Sequence, residues 1–347
     1  MIKIGIIGIG FMGYTHFEGA RALKNAGVAA ISTRDPRKLA GDWTSIQGNF
    51  GPPGGQVDVS ELKCTADYRE ILNDPDIDLV DVCLPTDKHH QVVIESLKAG
   101  KPTLVEKPIA VQLDEAAEMV RVSQECNTPL LVAHVLPFFP EFRFAAHQIS
   151  SGKYGKVHAA HFKRVICRPD WSNDMSDFRK LGGWGVDLHI HDNHFITHAF
   201  GQPKAVFSTG LLQDDFVNHV HSSYVYEDGP AVSCVSGGIA ASGFQFGHGF
   251  EIYCDDATLL FEAGTLGGEW VVARPLTVVG NDGSVEQPDP GGSDSWCAAF
   301  TDELQLAVDT LANGTPPGPL DSEVALNALK ICWAEAESIR TRQPVAL

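Results

Sequence analysis

The chain has 347 residues, with 26 Lys and Arg against 44 Asp and Glu, a formal net charge of -18. That balance repels phosphate backbones and anionic membrane surfaces, so neither nucleic acid nor a membrane is expected as a partner. The length exceeds what one core usually serves, and the eight cysteines form no Cys-x-x-Cys or zinc-like spacing, so two domains with reduced, mostly buried thiols are expected.

From the start to about residue 133, short apolar runs alternate with helical patterns. Residues 2–9, 28–32, 77–84, 103–105 and 130–133 read as buried strands, and 12–26, 66–72, 89–99 and 113–126 as the helices between them. Such alternation makes a doubly wound parallel sheet, the Rossmann arrangement. The stretch Gly41 to Gly55, GDWTSIQGNFGPPGG, breaks the rhythm and reads as a long surface loop.

Beyond residue 134 the texture changes. Runs at 157–166, 205–209, 222–226, 231–236, 250–254 and 258–261 follow one another with turn signals between, as in a hairpin-connected sheet. Helical patterns flank them at 141–150, near 191–200, and at 296–311 and 323–339. The fold class expected is therefore α/β: a Rossmann domain over 1–133 and an α+β domain over 134–347 with a large, mostly antiparallel open sheet. No apolar run approaches the ~18 residues of a membrane span, and the N-terminal MIKIGIIGIGFMG lacks a small-residue cleavage site, so a cytoplasmic location is expected.

The motif GIIGIGFMG sets Gly8, Gly10 and Gly13 in the G-x-G-x-x-G spacing, after a strand and opening a helix. Gly8 permits the tight turn, Gly10 lets a pyrophosphate approach the backbone, and Gly13 lets helix and strand pack closely, with the helix N-terminus facing the phosphates. At the end of the second strand, where an acid would bind the ribose hydroxyls of NAD, the chain reads Ser32-Thr33-Arg34-Asp35. Hydroxyls followed by Arg34, with Arg37 and Lys38 nearby, suit the 2′-phosphate of NADP; the alternative is that Asp35 reaches the ribose and the cofactor is NAD.

Further on, LVEKPIA ends a parallel strand with Glu106, Lys107 and Pro108, at the end of the sheet where ligands bind. Asp187 and His191 are four apart, so a helix beginning nearby would put both on one face. His191, with an ordinary pKa near ~6.5, suits a base that takes a hydroxyl proton; Lys107 is the other candidate base.

Three segments, GIGFMG, CLPTDKHHQVVIESLKAGKPTLVEKPIA and GGWGVDLHIHDNHFI, resemble the signature regions of the glucose-fructose oxidoreductase, inositol dehydrogenase and rhizopine-catabolism (Gfo/Idh/MocA) family. The resemblance extends over essentially the whole chain. It implies an NADP- or NAD-dependent dehydrogenase acting on a secondary hydroxyl of a sugar, inositol or related polyol, with a homo-oligomer built through the C-terminal sheet. It implies cofactor contacts at Gly8, Gly10, Phe11, Met12, Gly13, Thr33, Arg34, Pro85, Thr86, His89, Glu106 and Lys107, and a cis bond before Pro108. It implies catalytic roles for Lys107, Asp187 and His191, all of which also face the substrate. The chain departs from the family pattern at His189, usually glycine, and near Pro137, where an arginine is common; Arg164, Arg168 and Trp171, in KRVICRPDWS, are the candidates to replace that substrate contact. His191, His194 and His198 share a helical face with Asp187, but without a further carboxylate cluster no metal is expected. Two other readings stay open: an enzyme that keeps its cofactor and uses transient oxidation for elimination, epimerisation or glycoside cleavage, and a regulatory protein that senses NAD(P) without turnover.

Overall fold

The computed structural model describes residues 1–168 and 177–347; Trp171 lies outside them. The chain forms two compact units, one of Met1–Phe138 with Ser293–Leu326, the other of Phe139–Gly292 with Asn327–Leu347.

In the first unit the chain runs β1 (Ile2–Ile7), α1 (Phe11–Ala20), β2 (Ala26–Ser32), α2 (Pro36–Leu39), β3 (Lys63–Thr65), α3 (Arg69–Leu72), β4 (Leu79–Val82), α4 (His89–Lys98), β5 (Thr103–Glu106), α5 (Leu113–Cys126) and β6 (Leu130–Ala133). The strands pair in parallel in the order β3-β2-β1-β4-β5-β6. They are apolar on both faces because helices cover both sides of such a sheet. Strand order reverses between β1 and β4, and the carboxyl ends of strands at such a point form the usual ligand crevice. Two expectations are corrected. Helix α1 stops at Ala20, not Ala26, because Asn25 turns the chain through a left-handed conformation (φ 58°) directly into β2. The three-residue edge strand β3 is too short to show a period.

The Gly41–Gly55 segment has no strand or helix of its own beyond a bridge between Asp42 and Gln56, yet it is tied down. Trp43 is fully buried, its Nε1 donating to the Lys38 carbonyl (2.8 Å) and its ring set edge-on against Phe17 (4.8 Å). Phe50 meets Phe11 (4.7 Å) and stacks on Phe300 (5.5 Å).

The second unit begins with α6 (Pro140–Ser151) and β7 (Val157–Cys167), then α7 (Phe178–Leu181), α8 (Gly183–Asp187) and α9 (Ile190–Phe200). Seven strands follow: β8 (Ala205–Gln213), β9 (Phe216–Val225), β10 (Ala231–Ile239), β11 (Phe244–Cys254), β12 (Ala257–Leu266), β13 (Glu269–Gly280) and β14 (Val285–Glu286). After α10 (Ala298–Asn313), which belongs to the first unit, come α11 (Ser322–Thr341) and β15 (Val345–Ala346). The nine-stranded sheet has the order β14-β13-β12-β11-β7-β10-β9-β8-β15, antiparallel except where β7 and β10 pair in parallel. Rossmann sheet plus large, mostly antiparallel open sheet is the fold class expected from the sequence.

Helix α10 is where the units depart from a boundary at residue 133. Thr301 Oγ1 donates to the Gly19 carbonyl (3.0 Å) and Gln305 accepts the Lys24 N–H (2.8 Å), so the helix seals α1. Its periodicity says that one face is covered but not by what. No helix among the described residues is long and apolar enough to cross a membrane.

The core of the second unit is aromatic: fully buried Phe142 packs against Phe195 (5.2 Å) and Phe250 (5.1 Å). His248 of β11 sits in this wall, against Phe142 and Phe246, and neither ring nitrogen has a hydrogen-bond partner among the described residues. Burial, and then the Arg164 charge, push its pKa down to about 3, with Asp192 opposing. In the unfolded chain the ring titrates near ~6.5. Between the two values the unfolded state binds the extra proton, so stability is full above ~6.5 and lost as pH falls. His248→Phe is expected to remove about 2 kcal/mol of the difference in unfolding free energy between pH 7.5 and pH 5. Urea titrations at both values check this, and an unchanged pH slope would show that His248 is not the group responsible.

Candidate active site

The fingerprint glycines sit at the carboxyl end of β1. Gly8 has φ +100°, and a Cβ there would lie 2.6 Å from the Cys83 carbonyl oxygen. A Cβ on Gly13 would lie 2.0 Å from the Gly8 carbonyl oxygen, which is how closely α1 packs on the turn. Gly10 is different, since a Cβ there meets nothing within 4 Å. It is the N-cap of α1 and supplies no side-chain cap, so the positive end of the helix faces open space, as a pyrophosphate requires. The residues therefore fit a dinucleotide. Phe11 and Met12 begin the helix and are half-buried.

At the end of β2, Thr33 is half-buried and Arg34 exposed. Asp35 is spent locally: its carboxylate caps α2 by accepting the Arg37 N–H (2.9 Å). Lys38 Nζ donates to the Ile9 carbonyl (2.7 Å), which sets a cation against the fingerprint loop.

Two strands from β1 in the sheet, β5 ends at Glu106. Glu106 Oε2 accepts the Lys107 N–H (3.0 Å), and the Lys107–Pro108 bond is cis, the geometry the resemblance implied. His89, fully buried at the start of α4, spans from the Leu84 carbonyl (Nε2, 2.9 Å) to the Pro108 carbonyl (Nδ1, 3.0 Å). Burial lowers its pKa against the pull of those carbonyls; the neutral ring donates to one of them and both bonds together need the imidazolium, and in either form the ring braces the turn. Pro85 is exposed and Thr86 half-buried, on the loop between β4 and α4.

In the second unit Asp187 closes α8 and His191 lies in the first turn of α9. The one-face argument for a single helix does not hold, because the chain breaks at Leu188 and His189. What distinguishes the pair is exposure: both are half-buried while Leu188, His189 and Ile190 between them are buried.

A family model described as an oxidoreductase family with an NAD-binding Rossmann fold, GFO_IDH_MocA, matches residues 2–134. Residues 2–134 are thus similar to the NAD-binding domain of the Gfo/Idh/MocA family. It is 28% identical to the uncharacterised oxidoreductase YrbE of Bacillus subtilis over 58% of this chain and 54% of that protein. It is 24% identical to myo-inositol 2-dehydrogenase of Thermotoga maritima over 100% of this chain and 98% of that protein. A solved structure of levoglucosan dehydrogenase in complex with NADH and levoglucosan matches with a TM-score of 0.78 at 19% identity, covering 99% of each chain, a likeness of fold.

The second unit corrects one expectation. Arg164, read as overhanging a cleft, is buried in β7, and its guanidinium grips Asp192 with two bonds (2.9 and 3.2 Å). Strand alternation carries the signal, since 160, 162 and 164 share one face and Ala160 and Phe162 are core. Arg168 is exposed just past that strand.

The same region holds residues that sequence reasoning missed. His189 Nε2 is 3.0 Å from Glu335 Oε1, Asn193 Nδ2 donates to Glu335 Oε2 (2.9 Å), and the Tyr224 hydroxyl donates to Asn193 Oδ1 (2.6 Å). Burial alone would push the His189 imidazole down, but Glu335 and Cys234 raise it well above its ordinary value, so it is an imidazolium. His189, Asp192 and Cys234 lie within 4.8 Å of one another, as metal ligands do. The Arg164 guanidinium already bound to Asp192 opposes a metal cation there. The available sequence signal for the network was Glu335 on the same helical stripe as Ile331 and Cys332, both buried.

Proposed function

We propose that this protein transfers a hydride reversibly between a nicotinamide dinucleotide and a secondary hydroxyl of a sugar, inositol or related polyol. The observation that carries the reading is Lys107, held by Glu106 and the His89 brace at the carboxyl end of β5, in the same sheet edge as the fingerprint turn. The bound dinucleotide supplies the hydride acceptor or donor. Gly10 leaves room for its phosphates on the turn that Gly8 and Gly13 permit, and Lys107, Asp187 and His191 are the groups proposed to handle the substrate hydroxyl and its proton.

NADP is the proposed preference. The acid nearest the end of β2 is occupied in capping α2, whereas Arg34 is exposed. A 2′-phosphate would take the guanidinium as a bidentate partner. The chain is also proposed to pair through its open sheet, where Phe207 and Leu211 of β8 and Val225 of β9 stand exposed on one face.

The testing experiment is a titration of the protein with NADPH and NADH, followed by nicotinamide fluorescence, after mass spectrometry for co-purified dinucleotide. NADPH is expected to bind more tightly, and Arg34→Glu to weaken it by about tenfold, the loss of one charge-assisted hydrogen bond of about 1.5 kcal/mol. Tighter NADH binding would reverse the preference. Absence of binding by either would remove the oxidoreductase reading.

A further inference from the structure

We propose that His16 is a positioning residue, clamped between Asp81 and Glu106 so as to fix the carboxylate that receives the Lys107 amide and thereby the place where Lys107 is presented. The inference rests on the role given to Lys107 above. It concerns a buried cluster that joins α1, β4 and β5.

His16 is on α1, in the second turn after Gly10, and is fully buried. Its Nδ1 is 2.9 Å from Asp81 Oδ2 and 3.1 Å from Asp81 Oδ1, both hydrogen bonds, and its Nε2 is 3.0 Å from Glu106 Oε1, an ion-pair contact outside hydrogen-bond geometry. Glu106 turns its other oxygen to the Lys107 N–H. A continuous chain therefore runs from Asp81 through His16 and Glu106 to the backbone of Lys107. A neutral imidazole donates one hydrogen bond only. With a carboxylate oxygen close to each nitrogen, the setting favours the imidazolium, which carries both protons and sets one positive charge between two buried acids.

The remaining groups around the ring agree. Cys83, just past β4, has its Sγ 3.4 Å from Nδ1, and burial pushes that thiol up, so it is not an anion. Glu303 of α10 brings Oε2 to 3.9 Å from Nε2, is fully buried, and has no hydrogen-bond partner on either oxygen among the described residues. Burial raises its carboxyl well above the usual range, and Glu106 and Asp81 add to this against His16, leaving Glu303 a neutral acid. Burial alone would lower the His16 pKa; Asp81 and Cys83 overturn that and raise it well above its ordinary value. Deep burial makes such a pair costly to break from one side, so the clamp is rigid rather than adaptable.

The test has two readouts. In protein labelled with 15N at histidine, His16 is expected to show both nitrogens protonated from pH 6 to pH 9; a neutral ring at pH 7.5 would overturn the proposal. The second uses His16→Gln combined with Asp81→Asn, which removes one charge of each sign and leaves Glu106 without its cation. Labelling of Lys107 by trinitrobenzenesulfonate, read by mass spectrometry, is expected to change by at least about threefold, and kcat to fall by about tenfold while the cofactor Kd stays within about twofold, as for a catalytic group displaced by under ~1 Å. A folded variant with unchanged labelling would overturn the proposal. Labelling needs no turnover, so failure of the hydride-transfer reading and failure of this one are separable. If the double variant does not fold, the protonation state of the ring in the parent protein decides.

Discussion

Replacing Lys107 by alanine is expected to lower kcat by at least about 10³-fold while leaving the Kd for NADPH within about threefold, because the loss falls on the reacting step and not on the phosphate cradle. The glycine turn and the N-terminus of α1 stay intact in this variant, as does the His89 brace between Leu84 and Pro108, which bonds to backbone. The measurement is steady-state turnover over a panel of inositols and hexoses, compared on whichever of them the parent protein turns over, beside a fluorescence titration. A variant that keeps more than about a tenth of parental kcat would take Lys107 out of the chemistry. A variant that turns over normally but binds NADPH poorly would make Lys107 a cofactor anchor.

The largest effect on stability is expected at Arg164. Burial pushes the Asp192 carboxyl up, but Arg164, and then His189, outweigh it and hold the group below its ordinary range as an anion. Arg164→Met removes the fork, which lies over the Phe142 and Phe246 rings, and leaves the fully buried Asp192 charge without it. A cost of about 3–5 kcal/mol follows, the usual consequence of stripping one partner from a buried ion pair. Adding Asp192→Asn removes the stranded charge and should recover most of it. Guanidinium titrations of the three proteins decide the point. Loss of under about 1 kcal/mol in the single variant would mean that water or a rearranged His189 compensates Asp192.

Much of this architecture was legible in the sequence because its physics is local. Thr103 to Glu106 and Leu130 to Ala133 are short apolar runs that suit a sheet covered on both sides, and the glycine spacing around Gly10 has one structural meaning after a strand. The Gly41–Gly55 segment was legible as a loop, but nothing in its composition told that Trp43 would be among the most deeply buried side chains. Legibility failed where partners are distant in sequence. Arg164 looks like a surface cation until Asp192 is placed opposite it, and His189 looks like a deviation from glycine until Glu335 arrives from α11. His16, Asp81 and Glu303 went unread for the same reason: a charged residue at a core position of a pattern reads as an exception unless the countercharge is known. Asp187 and His191 were legible by type and spacing, while the break in the helix between them was not.

Because α10 belongs to the first unit, that unit is discontinuous along the chain. On the ribosome, the six parallel strands emerge long before Ala298–Asn313, and until then α1 has neither Thr301 at Gly19 nor Phe300 against His16. The nascent domain is therefore a sheet with one helix incompletely covered and a buried acid cluster open to water, an intermediate that a protease or chaperone would recognise. Expression of 1–138 alone would reproduce that unfinished state rather than a minimal cofactor-binding module. Any dissection of the protein into separately produced parts has to carry residues 293–326 along with the N-terminal half.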